Sequence, residues 1–205
     1  IKGSSDVKLI NNNSYGINYS FFNDVKRYSL DASFLYIKTQ KNYASQSEIN
    51  QDFIFNNYFV FKGGDFKLGK LSLTNYIRKL KLATMIETQQ SWTNNPIKIN
   101  ADNFTEIKNR VSLYKISGTT YFKKFCNFDF GYTYNTNQSE YNSVKSNSKT
   151  NELFVNVNHT FFKTWIAEIK SNYYYVNSDS YSFINALITF NPDISKFSYN
   201  LLVNN

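Results

Sequence analysis

Ser14-Tyr15-Gly16-Ile17-Asn18-Tyr19-Ser20-Phe21-Phe22 alternates residue by residue between polar and apolar. Successive side chains of an extended chain point to opposite faces. Tyr15, Ile17, Tyr19 and Phe21 therefore share one face, and Ser14, Gly16, Asn18 and Ser20 the other. The same period recurs along the chain. Tyr28, Leu30, Ala32, Phe34 and Tyr36 alternate with Ser29, Asp31 and Ser33. Phe128, Phe130, Tyr132 and Tyr134 alternate with Asp129, Gly131 and Thr133. Leu153, Val155 and Val157 oppose Asn156 and Asn158, and Ile169, Tyr173 and Tyr175 oppose Glu168, Lys170 and Asn172. Phe197, Tyr199, Leu201 and Val203 oppose Ser198, Asn200 and Asn204. A helical period is sustained nowhere, so the chain is expected to be all-β.

The connections between these segments alternate in length. Short ones fall near 23–26, 77–79, 123–126, 163–165 and 192–195, and long polar ones near 39–50, 93–106, 141–150 and 178–181. Antiparallel transmembrane β-barrels have short periplasmic turns and longer external loops. Aromatic residues precede the short turns: Phe21-Phe22, Tyr76, Tyr121-Phe122, Phe161-Phe162 and Phe190. An aromatic girdle at the periplasmic interface is expected there. Basic residues follow, as in Lys26-Arg27, Arg78-Lys79, Lys123-Lys124, Lys163 and Lys196. Thr120-Tyr121-Phe122-Lys123 recurs as Thr160-Phe161-Phe162-Lys163, with Ser20-Phe21-Phe22 as a weaker copy. The repeat marks one hairpin, the natural unit of an up-and-down barrel.

Composition agrees. Aromatics make up 19% of a chain whose mean hydropathy is −0.48. A strand with lipid on one face and a wet lumen on the other needs this mixture. No run approaches the roughly 20 apolar residues of a membrane helix. The net charge is +8. Its cations are scattered along the sequence, without the clustered footprint that nucleic-acid binding requires. The lone cysteine, Cys126, and the lone histidine, His159, supply neither a CxxC pair nor a Cys–His dyad. No cofactor and no metal site are expected.

One segment departs from the alternation of short and long. Phe53 to Phe61 reads as a strand followed by a Gly63-Gly64 turn. The order survives if 51–62 is an external hairpin arm, or if it joins 65–76 as one long interrupted strand. About ten spanning strands result, each near the ~9–11 residues that a tilted strand needs. The first, 13–22, runs toward the periplasm and the last, 196–204, runs outward. A further strand is then expected after Asn205, and residues 1–205 read as a single barrel segment of a longer protein.

Both ends of the chain resemble a known family. Gly3-Ser4-Ser5-Asp6-Val7-Lys8 is similar to the G-N-P-[DN]-L-K-P-E stretch of TonB-dependent outer-membrane receptors. Ser5 and Leu9 stand where that family has Pro, and Ile10 where it has Glu. Phe197 to Asn205 resembles the family's next-to-last strand, and the spacing between the two stretches resembles its C-terminal barrel half. The resemblance implies the C-terminal part of a barrel of roughly 22 strands with a plugged lumen, set in the outer membrane of a Gram-negative bacterium. Its plug domain and final strand would lie outside this chain. It implies a transporter, not an enzyme, that imports a metal chelate, glycan, peptide or similar nutrient. Energy would come from TonB acting on the plug. Outer-membrane lipids, lipopolysaccharide and a surface lipoprotein lid are the other partners implied. Two alternatives compete: a passive pore or barrel subunit of a secretion or assembly complex, and a soluble β carbohydrate-binding module.

The residues give no ligand-binding set. His159 sits beside the girdle residue Phe161, and Trp165 is expected to anchor an interface. Glu168 and Lys170 fall on the polar face, where they would tune what passes. Asp31 and Asp129 are isolated carboxylates with no partner acid or base. Trp92, Tyr43 and Tyr141 lie in or beside the long connections, where aromatic rings suit sugars and apolar ligands. Lys98, Lys145 and Lys149 are placed to meet lipopolysaccharide phosphates.

Overall fold

Side chains that alternate between two environments favour extended backbone, and such segments stabilise each other by lateral pairing. The computed structural model describes residues 11–49, 54–61, 63–99, 104–122, 126–161, 164–190 and 198–204. In chain order the strands are β1 (Asn11–Asn23), β2 (Tyr28–Ile49), β3 (Ile54–Phe61), β4 (Asp65–Ile77), β5 (Leu82–Ile99), β6 (Phe104–Thr120), β7 (Asn127–Tyr141), β8 (Val144–Phe161), β9 (Trp165–Val176), β10 (Asp179–Phe190) and β11 (Tyr199–Asn204). All join one sheet, and no helix occurs among the described residues.

Ten strands lie side by side in the order β1-β2-β4-β5-β6-β7-β8-β9-β10-β11. Each pairs antiparallel with its neighbours along this meander. Among the described residues the sheet is open, because β1 pairs only with β2 and β11 only with β10. β3 stands off the path. It pairs antiparallel with the upper half of β2, from Asn42↔Phe61 to Ile49↔Ile54, while β4 pairs with the lower half, from Tyr28↔Asn75 to Lys38↔Asp65. β3 and β4 are thus successive pieces of one interrupted partner, and β3 with upper β2 is also a hairpin arm. Both forms of the sequence expectation for this segment meet in one geometry. Gly63 and Gly64, at φ of 102° and 105°, make the interruption. A side chain rarely adopts that conformation. The Thr39 amide donates to the Gly64 carbonyl at 3.0 Å and holds the junction against β2.

The long polar connections are corrected. Most of 39–50, 93–106 and 141–150 is strand, not loop: β2 continues to Ile49, β5 to Ile99, and β7 and β8 meet across Asn142-Ser143 alone. Both of these turn residues have positive φ (47° and 65°), the pattern of a two-residue hairpin turn whose twist suits the strands it joins. Polar residues on both faces hid these extensions from a reading based on alternation.

Apart from one shift between Asn11 and Asn12 at the start of β1, continuous registers carry one face across the sheet. Leu30, Leu73, Ile86, Ile116, Tyr132 and Leu153 lie side by side on six strands. The opposite face carries Asp31, Ser72, Glu87, Lys115, Thr133 and Glu152 in the adjacent row. Nothing among the described residues covers the apolar face. Ile86, Ile116 and Leu153 are 53%, 54% and 52% exposed, and no large side chain is fully buried among the described residues. The accessible surface is 15388 Å², whereas a compact chain of 24.0 kDa would expose roughly 9,900 Å². One sheet without a second layer buries too little to form a core of its own.

Candidate functional site

The polar face is the first candidate surface. Its carboxylates are held by neighbours on adjacent strands. Glu87 on β5 pairs with Lys70 on β4 at 3.2 Å. Asp129 on β7 accepts from Thr119 on β6 at 3.0 Å and from Asn156 on β8 at 3.3 Å. Glu152 accepts from the Tyr174 hydroxyl at 2.8 Å. Glu168 and Lys170, two residues apart on β9 and so on one face, form an ion pair at 3.0 Å. Their sequence assignment to the polar face holds. Lys115 lies 5.6 Å from the Phe154 ring centroid. Asp31 and Asp129 lie on β2 and β7, separated by three strands of the sheet, so they do not face each other as acid and base. Among the described residues, no group of three His, Cys, Asp or Glu side chains is placed to hold a metal ion. The surface is a wall of hydrogen-bonded polar groups and ion pairs.

The rim with the turns after β1, β4, β6, β8 and β10 is the second candidate surface. Aromatic rings line it. Trp165 stacks on Phe190 at 4.6 Å and on Phe161 at 6.2 Å, Phe190 stacks on Tyr199 at 6.3 Å, and His159 stacks on Phe161 at 5.8 Å. His159 therefore sits in an aromatic row, as its sequence position beside Phe161 suggests. Farther along the rim, Phe21 meets Tyr28 at 5.7 Å and Tyr76 meets Tyr121 at 6.1 Å. Arg27 lies over Tyr76 at 5.4 Å, and Arg78 donates to the Val25 carbonyl at 3.0 Å. Arg27, Arg78 and Lys81 line one hollow there, with no carboxylate in its lining. The scatter of cations along the sequence is thus corrected in space: hairpin topology gathers these three on one rim. Cys126, half-buried and free, lies at the same rim.

The third candidate lies on the apolar face, above the belt. The row Tyr36, Lys67, Trp92, Arg110, Gln138, Asn147 crosses β2, β4, β5, β6, β7 and β8. Arg110 lies 5.7 Å from the Trp92 ring centroid and donates to Gln90 Oε1 at 3.4 Å, while Gln90 Nε2 donates to the Tyr114 hydroxyl at 3.0 Å. Lys67 lies 5.6 Å from the Tyr36 ring centroid. Trp92 is therefore a strand residue among cations, not a loop platform. Tyr141 ends β7, and the backbones of Tyr43 and Lys98 lie in β2 and β5. Lys145 and Lys149 have the parity of Leu153 and Val155, so they share the apolar face above the belt. Sequence reasoning missed the Lys67–Trp92–Arg110 grouping because 93–106 read as a loop. Without strand parity the three residues have no common face.

Comparison of the chain with family models, with curated proteins and with solved structures gave no match. The stretch Gly3–Lys8, which carries half of the family resemblance, lies outside the described residues. Of the other half, Tyr199 to Asn204 is a strand at the sheet edge.

Proposed function

We propose that the chain is a segment of an outer-membrane β-barrel whose apolar face meets lipid and whose polar face lines a wet lumen. The single observation that carries this reading is the exposed apolar belt, bounded on one side by the Trp165 aromatic row and on the other by tyrosines and Trp92. Aliphatic residues in the middle with Trp and Tyr at both margins match the layering of a bilayer and its interfaces. A soluble carbohydrate-binding module would place its apolar face against a second layer. The ion-paired opposite face fits a lumen lining. Within that class, the family resemblance favours a TonB-dependent transporter over a passive pore. The barrel would bind and import a nutrient ligand, the upper hairpin arms would stand at its external mouth, and a plug would respond to TonB.

Fractionation of the source cells tests the membrane reading. The protein is expected with the outer membrane, released by detergent and not by high salt, with an intact mass several times 24.0 kDa. Release by salt would overturn it. Uptake separates transporter from pore: import should stop when a protonophore collapses the inner-membrane gradient. Uptake that continues unchanged assigns the barrel to the passive class.

A further inference from the structure

The hollow at the aromatic rim gathers three cations from two neighbouring turns. Arg27 ends the turn before β2, and Lys81 ends the turn before β5. Both stand at left-handed φ, 53° and 49°. Glycine or asparagine adopts that conformation more readily. The two turns therefore carry a conformational cost to present a cation, and such outliers gather at functional positions. The backbones of β2 and β5 lie two strand spacings apart, about 10 Å, which two long basic side chains span together. Arg78 donates to the Val25 carbonyl at 3.0 Å and is fixed against the neighbouring turn. Arg27 lies over the Tyr76 ring at 5.4 Å, and Tyr76 meets Tyr121 edge to face at 6.1 Å. These residues and Asn127 line a hollow of about 580 Å³. None of its three cations forms an ion pair among the described residues.

Ladder parity sets the side on which this hollow opens. Tyr76 has the parity of Thr74 and Ser72, and Asn127 that of Asp129, so both stand on the polar face with Glu87. The Tyr121 amide donates to the Lys81 carbonyl at 2.8 Å. That bond extends the β5–β6 ladder by one pair and gives Tyr121 the parity of Thr119. The hollow therefore opens on the side away from the apolar belt, at the turn end of the face read above as a lumen lining. Asp129, two residues from Asn127, already accepts from Thr119 and Asn156. The cations are thus left for an anion from outside the chain, and the face directs them to a solute rather than to an acyl lipid. Two guanidinium forks, an ammonium and two phenol hydroxyls complement a multiply charged oxyanion, and a phosphate monoester offers near-double charge with three strong acceptor oxygens. We propose that this hollow binds the phosphate monoester group of a small solute crossing the lumen, as its last contact before the periplasm. Arg and Lys groups at a pore serve phosphate passage in the same way, by charge. The inference rests on the reading of the polar face as a lumen, and it names the chemistry of what passes.

The test uses the full-length protein purified in detergent, with radiolabelled inorganic phosphate as the probe in equilibrium dialysis at low ionic strength. Saturable binding that glucose 6-phosphate displaces is expected. The variant R27Q/R78Q/K81Q should weaken it about tenfold or more, the scale of lost hydrogen bonds to charged groups. Arg78 also holds the Val25 carbonyl, so R27Q is measured alone. It removes no backbone contact of its turn and should weaken binding about threefold or more. The control K70Q/K115Q/K170Q removes the same charge from the middle of the same face and should bind as the wild type does. Unchanged affinity in R27Q overturns the site, as does equal loss in the control. Displacement by phosphatidylglycerol as effective as that by glucose 6-phosphate would assign the hollow to a lipid headgroup and also overturns it. Outer-membrane fractionation is followed in parallel. Wild-type protein that fractionates with the outer membrane and binds no phosphate rejects this site alone. Absence of the wild-type protein from that membrane rejects the membrane reading, and the lumenal solute with it.

Discussion

The lower halves of the hairpins and their upper arms are one secondary structure written in two kinds of sequence. Phe128 to Tyr134 alternates strictly between aromatic and polar or small residues, and Leu153 to Val157 answers it across the ladder. Above them, Asn135 to Lys149 contains only Tyr141 and Val144 as large apolar residues. Yet the β7–β8 ladder is continuous from Asn127↔Asn158 to Tyr141↔Val144. Alternation therefore reports that the two faces differ in character. Where both faces are polar, the strand persists on backbone pairing and the pattern disappears. The two ends differ in charge as well. The connecting sequences at the aromatic rim hold Lys26, Arg27, Arg78, Lys79, Lys81, Lys123, Lys124, Lys163 and Lys196 against Asp24 and Asp193. The other connecting sequences hold Lys62 against Asp52 and Asp102. Most of the net charge of +8 belongs to one set of turns, where cations beside an aromatic row suit the headgroup level of a bilayer.

A charge placed on the apolar face should expose this difference most strongly. Ile116→Arg in the belt is expected to cost about 2–4 kcal/mol of folding into lipid vesicles, and Gln138→Arg on the same face of the arm no more than about 1 kcal/mol. Urea titration of the full-length protein refolded into vesicles reads both. Equal costs would mean that belt and arm share one environment. A smaller effect belongs to two glycines that differ in face and in space, Gly131 with the parity of Asp129 on the polar face and Gly69 with that of Leu71 on the apolar face. A Cβ at Gly131 would lie 2.6 Å from the Ile116 carbonyl oxygen and 2.7 Å from the Phe154 ring, while one at Gly69 meets nothing within 4 Å. Gly131→Val should destabilise by about 1–3 kcal/mol through overpacking. Gly69→Val should change stability by less than about 1 kcal/mol, the span of strand propensity. The same titration ranks them, and a reversed order would mean that the ladder around Gly131 repacks.

Much of the fold was legible because of this same contrast between the two faces. The segment 13–22 was found as a strand at 11–23, and the described aromatic residues before the short turns, among them Phe21, Tyr76, Tyr121, Phe161 and Phe190, do line one rim. The ends of β2, β5, β7 and β8 were not legible. Asn137, Ser139, Ser146 and Ser148 have no apolar counterparts to mark a face. Their partners are fixed by ladders that start in the belt and propagate upward. The placement of Lys67, Trp92 and Arg110 together failed for a related reason. They are distant in sequence, and their alignment requires the registers of β4, β5 and β6 at once. Glu168 and Lys170 were placed correctly because two residues on one strand need no register.

Exposed ion pairs should contribute less than packing. Lys70–Glu87 on the polar face and Lys67–Asp65 above the belt are both half-exposed at the lysine. Double-mutant cycles are expected to give about 0.2–1 kcal/mol for each. A clearly larger coupling for Lys70–Glu87 would indicate that the polar face is closed off from bulk water in the full-length protein.

The arm turns provide the finest comparison, because two residues with similar backbone should respond in opposite directions. Ser143 and Asn177 both have positive φ, 65° and 53°. A left-handed residue costs an L-amino acid roughly 1–2 kcal/mol, while glycine gives back roughly 0.5–1 kcal/mol in chain entropy. Ser143→Gly should therefore stabilise its turn by less than about 1 kcal/mol. Asn177 carries an additional contact: its Oδ1 accepts the Lys149 amide at 3.0 Å, while its own amide donates to the Lys149 carbonyl at 3.0 Å. Asn177→Gly removes the first of these, a loss of about 0.5–1.5 kcal/mol, against a smaller relief because asparagine already tolerates this conformation. Its net effect should be neutral to destabilising. Hydrogen exchange of the arm amides measures both changes locally. Slower exchange near Asn142 in Ser143→Gly and faster exchange near Lys149 in Asn177→Gly are expected, with belt amides unchanged in both. If both glycines slow exchange alike, the Asn177 side chain contributes nothing to the arm. If belt amides change with them, belt and arm unfold as one unit, and the arm is stabilised by the lower ladder and not by its turn.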